Sequence, residues 1–485
     1  MDAIITAVTD FVWGPPLIIL VLAVGLLLTV GSGFFQFRHF GHIMKNTFGL
    51  MLKRDDKEGK GLLKPFQAAS AAVGSAVGVG NVGGVATAIA TGGPGAVFWL
   101  WVCALIGMMT KFTEVTLAVH YRSTDSDGNP YGGPSYYMEK GLGEEKGFKL
   151  WGIPAVIFGG GIFATFFFSV QNYTVSEAVS STFGINMIVV SVAFCILAMA
   201  VVLGGIARLG KVAEKLVPLM CLFYVVGGLF VIFRNVDNLP STFRLIFESA
   251  FTGTAAVGGF LGAAFMQAMQ TGVARSVYSN EAGWGTSPML HSTAKTPHPV
   301  KQGLWGSFEV FVDTMIVCTI TALAIINTGA WSSGLAGAEL TLEAFEINMG
   351  FAGRAVVAIS IFLFGVTTEI GWYAYYEILL RHLLRKRPKL KDNILKVFRV
   401  VFAFPSMLIT IFAVVYGMPS GLIWSIADVI TGIPTFVNLL TVLFLSHRFF
   451  ALLRDYKARN MGIGTIDPGM CLFYEDKLGI RRGEA

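Results

Sequence analysis

Long apolar stretches with few charges dominate the chain and restrict what it can fold into. They lie near 14–34, 66–92, 95–120, 153–181, 185–206, 214–233, 254–275, 304–329, 354–380, 396–417 and 420–446. Each is long enough to cross roughly 30 Å of hydrocarbon as a helix. Only 14% of the residues are charged, against about 25% in a typical soluble domain. Because the runs are continuous rather than alternating, a porin-like barrel is excluded, and the sequence predicts an all-α membrane protein with about eleven transmembrane helices.

The placement of basic residues predicts the orientation of these helices. With the N-terminus outside, every Lys and Arg except Lys111, Arg234, Arg244 and Arg354 falls on the inner side. This asymmetry follows the positive-inside rule for membrane proteins, so the C-terminus is expected in the cytoplasm. The net charge of +6 therefore reflects orientation and does not indicate a nucleic-acid partner. The segment 34–52 is basic and aromatic, which favours an amphipathic helix on the inner surface.

The helix count predicts an internal repeat. Without the first span, ten helices remain and divide into two sets of five. An odd number per set inserts the second set upside down relative to the first. We therefore assign 1–65 to a leading helix with the inner-surface helix, 66–234 to the first repeat, 235–446 to the second repeat and 447–485 to a cytoplasmic tail.

Glycine interrupts the leading helix of each predicted repeat. One cluster runs from Val73 to Gly84 and contains Asn81; the other runs from Gly253 to Gly262. Glycine costs about 1 kcal/mol relative to alanine inside a helix, and unwound backbone at membrane depth is tolerated only where it lines a cavity or is covered by protein. Freed N–H groups suit a carboxylate and freed carbonyls suit a small cation. The paired breaks predict a transporter site, with close packing of small residues as the alternative.

Polar residues deep in two spans are further candidates. Thr367 and Thr368 offer adjacent hydroxyl oxygens that suit Na⁺, and Trp372 lies on the face of Thr368, where it can wall a small pocket. Glu369 lies far from either end of its span, so it must be paired, cation-bound or protonated. Both a coupling role and structural hydrogen bonding remain open for it. Gln171 interrupts the fourth span and offers polar contacts.

Other charged residues in the spans are interpreted as structural. Lys111 and Glu114 are three residues apart on one helix face and are expected to pair. Glu309, Asp313 and Asp428 are expected to make packing hydrogen bonds. An intramembrane enzyme needs a nucleophile and a base within mutual reach, and an ion channel needs rings of charge or carbonyls. The sequence supports neither class.

Several motifs resemble the alanine or glycine:cation symporter family. They cover the chain from about 65 to 380. They are GNVGGVATAI (80–89), GGPGAVFW (92–99), GGPSYY (132–137), KVAEKLVP (211–218), GVAR (272–275), SNEAG (279–283), AKT (294–296) and the pair Thr367-Thr368 with Gly371 and Trp372.

The resemblance implies a leucine-transporter-like inverted-repeat core behind one extra leading helix. It implies Na⁺-driven uptake of small neutral amino acids, chiefly alanine and glycine, and no enzymatic activity. The implied substrate site comprises Asn81, Gln171, Thr368 and Trp372 with backbone near Gly78, Gly80, Gly258, Gly259 and Phe260. The implied Na⁺ site comprises backbone near Ala76 and Val79 with the hydroxyls of Thr367 and Thr368.

Two positions depart from the pattern that the family usually shows. Val79 stands where the family has Thr, and Glu369 stands where the family has an apolar residue. Either Glu369 compensates as a cation ligand for the hydroxyl that is missing at Val79, or the coupling ion differs, for example H⁺. The substrate could also shift towards another amino acid such as glutamine. The sequence leaves the preferred amino acid, its stereochemistry, the ion stoichiometry and the oligomeric state open.

Overall fold

The computed structural model describes residues 8–9, 11–51, 62–125, 128–252, 261–418 and 420–477. Within these ranges the regular secondary structure is helical apart from one hairpin of strands β1 (Ser123–Thr124) and β2 (Pro130–Tyr131). Turns of 3₁₀ helix cover Val236–Asn238 and Ala330–Ser332, and π-helical turns cover Gly80–Gly84, Met138–Glu145 and Phe311–Cys318. The α-helices are α1 (Pro15–Gly31), α2 (Phe35–Arg38), α3 (Phe40–Asn46), α4 (Phe48–Met51), α5 (Pro65–Ala76), α6 (Val85–Gly92), α7 (Gly95–His120), α8 (Pro134–Tyr137), α9 (Gly152–Phe167), α10 (Gln171–Phe183), α11 (Met187–Val202), α12 (Gly205–Arg234), α13 (Leu239–Thr252), α14 (Leu261–Asn280), α15 (Ser287–Ser292), α16 (Pro299–Val310), α17 (Thr319–Asn327), α18 (Gly337–Met349), α19 (Phe351–Leu383), α20 (Pro388–Val401), α21 (Phe404–Val415), α22 (Ser420–Met461) and α23 (Tyr474–Lys477).

Most predicted spans coincide with apolar helices. Among the described residues, 7 helical segments are long and apolar enough to cross a membrane, or 8 if the bent α5–α6 pair forms one span. The shorter apolar helices α1 and α11 cover two further predicted spans. The all-helical membrane fold is therefore confirmed, while the total of eleven spans stays a prediction.

The outward faces of these helices are apolar. Val156 on α9 is 71% exposed, Ile196 on α11 is 65% exposed and Phe233 on α12 is 64% exposed. Large apolar side chains at such exposure are costly in water but favourable against lipid chains. These exposed faces support the membrane assignment independently of helix length.

The segment 34–52 does not form the single amphipathic helix that the sequence predicted. The segment forms the three short helices α2, α3 and α4, and Phe34 has a φ of 58° immediately before them. Phe35 is fully buried and its ring lies 5.5 Å from that of Phe112 on α7. Packing of Phe35 against α7 therefore competes with a single straight helix on the membrane surface.

The first predicted break is confirmed at the end of α5. The helix stops at Ala76, Val77 is extended (φ −67°, ψ 93°), and the chain resumes at Gly80 with a bend of 45°. The side-chain oxygen of Asn81 accepts a hydrogen bond from the N–H of Gly78 at 2.8 Å. This bond satisfies one of the backbone donors that the break would otherwise leave unpaired.

The predicted second break, from Gly253 to Gly262, falls mostly outside the described residues and stays a prediction, while a break that faces the first one lies further along the chain. The predicted positions Gly258, Gly259 and Phe260 lie outside the described residues, and α14 is continuous up to Asn280. The chain then unwinds over 281–286 before α15 begins. Glu281 has a φ of 55° and the glycines at 283 and 285 have φ of 92° and 86°. For Glu281, a side chain in this left-handed region costs on the order of 1–2 kcal/mol.

The two interrupted helices lie side by side. At the inner end, Leu63 pairs with Ala294 as a parallel bridge, and the N–H of Leu62 donates to the carbonyl of Thr293. At the level of the breaks, Gly80 lies so close to Tyr278 that an added Cβ would be 3.0 Å from the ring. Because unwound backbone from both helices meets here, this region is the natural place for a binding site.

Asp313 connects both breaks to a third helix. It lies in the π-helical turn between α16 and α17, where its carboxylate accepts from Asn81 Nδ2 at 2.6 Å and Ser279 Oγ at 2.7 Å. Asp313 itself is fully buried. The expectation of packing hydrogen bonds for Asp313 is therefore confirmed, and these bonds fix the two breaks relative to each other.

The polar tail folds back onto the segment that joins α7 to α8. Glu475 accepts from the N–H and the hydroxyl of Thr124, each at 2.8 Å, and lies 3.6 Å from Lys140 Nζ. The ring of Phe473 lies under the guanidinium of Arg122 at 4.7 Å. The tail is thus packed against the rest of the protein.

Candidate functional site

A small cavity lies between the two breaks. Its volume open to the centre of a water molecule is about 10 Å³, which is roughly enough for one water. The side chains are therefore tightly packed around the site in this conformation. The lining residues come from both broken helices, α10 and α19: Ser75, Ala76, Gly78, Gly80, Gln171, Tyr278, Glu281, Trp284, Thr368 and Trp372.

Aromatic rings form one wall of the cavity. Trp372 meets Trp284 edge-on with ring centroids 5.0 Å apart, and Tyr375 and Tyr376 lie 5.5 and 5.9 Å from Trp372. Such edge-to-face packing stabilises each ring in one orientation. The predicted role of Trp372 as a pocket wall is consistent with this position, and the wall is rigid and leaves little room for a long side chain.

Two buried polar atoms at the cavity lack partners. Gln171 Oε1 accepts no hydrogen bond and Trp284 Nε1 donates none to any described residue. The two residues are 7% and 2% exposed. Buried polar groups are almost always hydrogen-bonded in folded proteins, and leaving one unpaired costs about 1–3 kcal/mol. An unpaired acceptor and an unpaired donor in one cavity indicate a ligand that carries both kinds of group.

The two threonines pack against the first break, and the Na⁺ site there stays a prediction. Thr368 Oγ1 donates to the carbonyl of Gly74 at 3.3 Å, and an added Cβ on Gly78 would lie 2.4 Å from that oxygen. Thr367 Oγ1 donates within its own helix to the carbonyl of Phe364 at 2.9 Å. Ala76 lines the same cavity and Val79 is fully buried beside it. The arrangement brings hydroxyl and backbone oxygens of two helices together.

Acidic or soft metal ligands do not converge in the described part of the chain. No group of three or more His, Cys, Asp or Glu side chains is placed to hold a metal ion there. A cation beside Thr368 would meet the hydroxyl of Thr368 and the carbonyl of Gly74, with the Glu281 carboxylate on the same cavity wall. Hydroxyl and carbonyl oxygens are hard donors, which favour ions such as Na⁺ over transition metals.

Asn81 lies beside the cavity rather than on its wall. Its amide nitrogen donates to Asp313 Oδ1 and lies 3.3 Å from Cys318 Sγ, while its oxygen is used by Gly78. These bonds hold Asn81 outside the cavity, where it stabilises the conformation of the break.

Glu369 also points away from the cavity. Its carboxylate accepts from Ser406 Oγ at 2.8 Å and from Ser169 Oγ at 3.2 Å. Ser169 belongs to the short interruption between α9 and α10, and Ser406 to the first turn of α21. Glu369 therefore links α19 to α21 and to the interruption between α9 and α10. Its carboxylate lies on a different face of α19 from the hydroxyl of Thr368.

The expected pair of Lys111 and Glu114 does not form. Lys111 Nζ lies 3.5 Å from Glu309 Oε1, whereas Glu114 accepts from Asn438 Nδ2 and from the N–H of Gly283. The reason is the close approach of α16 to α7: an added Cβ on Gly306 would lie 3.1 Å from Lys111 Cγ. The neighbouring helix therefore supplies the nearer carboxylate.

The structure also corrects the expected position of Arg275, which the orientation argument placed in an inner segment. It lies within α14 and makes a bidentate pair with Asp428, at 2.7 and 2.6 Å. Its guanidinium covers the rings of Trp424 at 5.2 Å and Tyr278 at 6.0 Å. The expectation of packing hydrogen bonds for Asp428 is therefore confirmed, and these bonds belong to a buried ion pair between α14 and α22.

The sequence interpretation missed four of the lining residues as site residues, namely Ser75 on α5 and Tyr278, Glu281 and Trp284. The last three belong to the second break or the turn before it. The available signal was the pair of glycines at 283 and 285, followed by Pro288, which begins a new helix. Glycine at alternate positions before a helix-starting proline predicts an unwound turn as well as the cluster at 253–262 does.

The fold resembles that of a solved transporter. A crystal structure of a manganese transporter from Eremococcus coleocola superposes with a TM-score of 0.50 over 86% of this chain and 83% of that one, at 13% identity. At this identity the likeness supports the fold alone. Two broken helices that enclose a cavity within an apolar helical bundle define a secondary transporter with a leucine-transporter-like core.

The sequence comparisons identify the family. The sequence model of the sodium:alanine symporter family matches residues 1–464, and the chain belongs to this family. The sodium/alanine symporter AgcS of Methanococcus maripaludis is 36% identical over 92% of this chain and 94% of its own length. A Bacillus subtilis protein named as a probable sodium/glutamine symporter, GlnT, is 36% identical over 100% of this chain and 95% of its own. A transporter of Haemophilus influenzae is 38% identical over 95% and 97%.

Proposed function

We propose that the protein carries small neutral amino acids, chiefly alanine and glycine, into the cell together with Na⁺. One observation carries this proposal: the cavity between the breaks presents Gln171 Oε1 and Trp284 Nε1 without partners. A zwitterionic amino acid supplies a donor group and an acceptor group to such a pair. The AgcS relative, named as a sodium/alanine symporter, supports the same substrate and ion.

The size of the site favours a short side chain. The cavity is closed around about 10 Å³, and the wall of Trp372 and Trp284 is held by ring packing. Room for a substrate must come from movement of the broken helices, and each additional methylene requires further movement of packed rings. Substrates with small side chains therefore need the least rearrangement.

The cation is proposed to bind beside Thr368, where α19 meets the first break. The site consists of the backbone near Ala76 and Val79 and the hydroxyls of Thr367 and Thr368. Binding of cation and amino acid would stabilise the closed state, and rocking of one helix bundle against the other would then expose the site to the cytoplasm. The protein works in the cell (inner) membrane, with its N-terminus outside and its C-terminus inside.

Uptake into proteoliposomes tests the proposal. Labelled L-alanine should accumulate when an inward Na⁺ gradient is imposed and should stop accumulating when K⁺ replaces Na⁺. Unlabelled glycine should compete, and leucine should compete poorly. If neither an inward Na⁺ gradient nor an inward H⁺ gradient changes alanine uptake, coupled transport is refuted, and single-channel currents would point to a channel instead.

Two alternatives have specific support. Relatedness to GlnT favours glutamine as a substrate, and glutamine belongs in the same competition series. Glu369, held only by the hydroxyls of Ser169 and Ser406 among the described residues, favours H⁺ as a coupling ion. Glu369→Gln separates the ion hypotheses, because a proton-coupled carrier would lose its dependence on the H⁺ gradient in this variant and a Na⁺-coupled carrier would keep its dependence on Na⁺.

A further inference from the structure

Glu281 occupies the start of the second break. Its N–H donates to the carbonyl of Val277, which completes α14, and its φ of 55° then turns the chain out of the helix. Apart from glycines, only Phe34 and Glu281 have positive φ among the described residues. This unusual backbone conformation places the Glu281 carboxylate on the cavity wall. In a continuous helix the side chain would point in a different direction.

The carboxylate is only partly satisfied by the protein. Oε2 accepts from Thr286 Oγ1 at 2.7 Å and from Tyr375 Oη at 3.0 Å. Oε1 accepts no hydrogen bond from the described residues, and no basic side chain there forms an ion pair with Glu281. Lys111 lies in the same buried region but is paired with Glu309 at 3.5 Å.

A buried carboxylate without a counter-charge must either be protonated or bind a cationic group, since burial of an unpaired charge is strongly unfavourable. Two further polar atoms on the cavity wall indicate how a ligand would be oriented. Gln171 Oε1 is a second acceptor on the wall, and Trp284 Nε1 is an unpaired donor. A primary ammonium has three donors and no acceptor, so it suits the two acceptors, while a substrate carboxylate suits the indole N–H and the freed backbone of the break.

We infer that Glu281 binds the ammonium group of the transported amino acid. The inference rests on the proposed function and adds the residue that selects for a positively charged nitrogen. Gln171 provides the second acceptor for this group, and Tyr375 and Thr286 hold the Glu281 carboxylate in place. The site thereby recognises the amino group by charge, independently of the side chain of the substrate.

The experiment compares L-alanine with L-lactate, in which a hydroxyl replaces the ammonium. Inhibition of labelled alanine uptake is measured in proteoliposomes for the wild type, Glu281→Gln and Glu281→Asp. In the wild type, lactate should inhibit at least a hundredfold more weakly than alanine. Glu281→Gln should lower alanine affinity at least tenfold and change lactate affinity less than threefold. Glu281→Asp should recover part of the discrimination because it restores the charge.

Glu177→Gln is the matched control. Glu177 is a largely buried carboxylate on α10 that accepts from Tyr173 Oη at 3.4 Å and does not line the cavity. This variant should keep the wild-type ratio between alanine and lactate. Size-exclusion profiles in detergent show which variants are folded.

Three results would overturn the inference. One is a folded Glu281→Gln protein with the wild-type ratio between alanine and lactate. Another is an equal loss of affinity for both compounds, which would indicate a structural role. The third needs no variant: lactate inhibits the wild type within threefold of alanine. If the wild type takes up no alanine at all, the proposed function fails instead, so the two failures are distinct.

Discussion

Gly371→Ala tests the contact between α19 and the first broken helix. An added Cβ at Gly371 would lie 2.3 Å from Ser75 Cβ and 3.1 Å from Ser75 Cα. Ordinary contact begins at 3.4 Å, so the closest approach falls short by about 1.1 Å. Rotation of the Ser75 side chain cannot relieve the contact with the backbone Cα. The two helices must therefore separate by about 1 Å at this level.

The separation has a structural and a functional cost. Overpacking typically destabilises by about 1–3 kcal/mol, and alanine in place of a helical glycine returns about 0.5–1 kcal/mol. The net loss is thus on the order of 1 kcal/mol or more, which leaves the protein folded. Thr368, three residues before Gly371, moves away from Gly74, its partner at 3.3 Å. Metal–ligand distances tolerate about 0.2 Å, so a shift of about 1 Å disrupts a cation site there.

The measurement is alanine uptake into proteoliposomes as a function of Na⁺ concentration. We expect the half-saturating Na⁺ concentration to rise at least tenfold in Gly371→Ala, which corresponds to about 1.4 kcal/mol. Gly160→Ala on α9 is the matched control, because no atom lies within 4 Å of its added Cβ, and it should behave as the wild type. A Gly371→Ala protein with wild-type Na⁺ dependence would refute both the close approach and the place of the cation.

Further expected outcomes concern the cation, the pocket wall, the ion pair and the tail. Thr368→Val removes one oxygen at nearly constant volume and should weaken Na⁺ dependence at least tenfold in the same uptake assay, whereas unchanged Na⁺ dependence would exclude its hydroxyl as a ligand. Trp372→Phe should let larger amino acids such as leucine inhibit alanine uptake; continued exclusion of leucine would show that another residue limits substrate size. Arg275→Gln leaves Asp428 buried without its partner and should lower thermal stability in detergent by about 3–5 kcal/mol, and Arg275→Gln with Asp428→Asn should recover part of it. Glu475→Gln should cost about 1–3 kcal/mol of stability, and an unchanged melting temperature would show that the docked tail does not contribute.

The sequence by itself determined the features that depend on local pattern. Continuous apolar runs set the helices, because each span must satisfy its own backbone inside the bilayer. The glycine cluster ending at Gly84 located the first break, because glycine lowers the cost of leaving the helix at that point. The spacing of Thr368 and Trp372 placed both on one face of α19, and the structure brings that face to the cavity.

Only the tertiary structure decided which distant residues meet. Glycines occur in many helices of this chain, and local composition does not distinguish the break at 281–286 from the cluster at 253–262. Lys111 pairs with Glu309 rather than Glu114 because α16 packs closely on α7. Gln171 shares one cavity with Glu281 and Trp284 although 110 positions separate Gln171 from Glu281 along the chain. Contacts of this kind depend on how the helices pack, and no periodicity within a single helix encodes them.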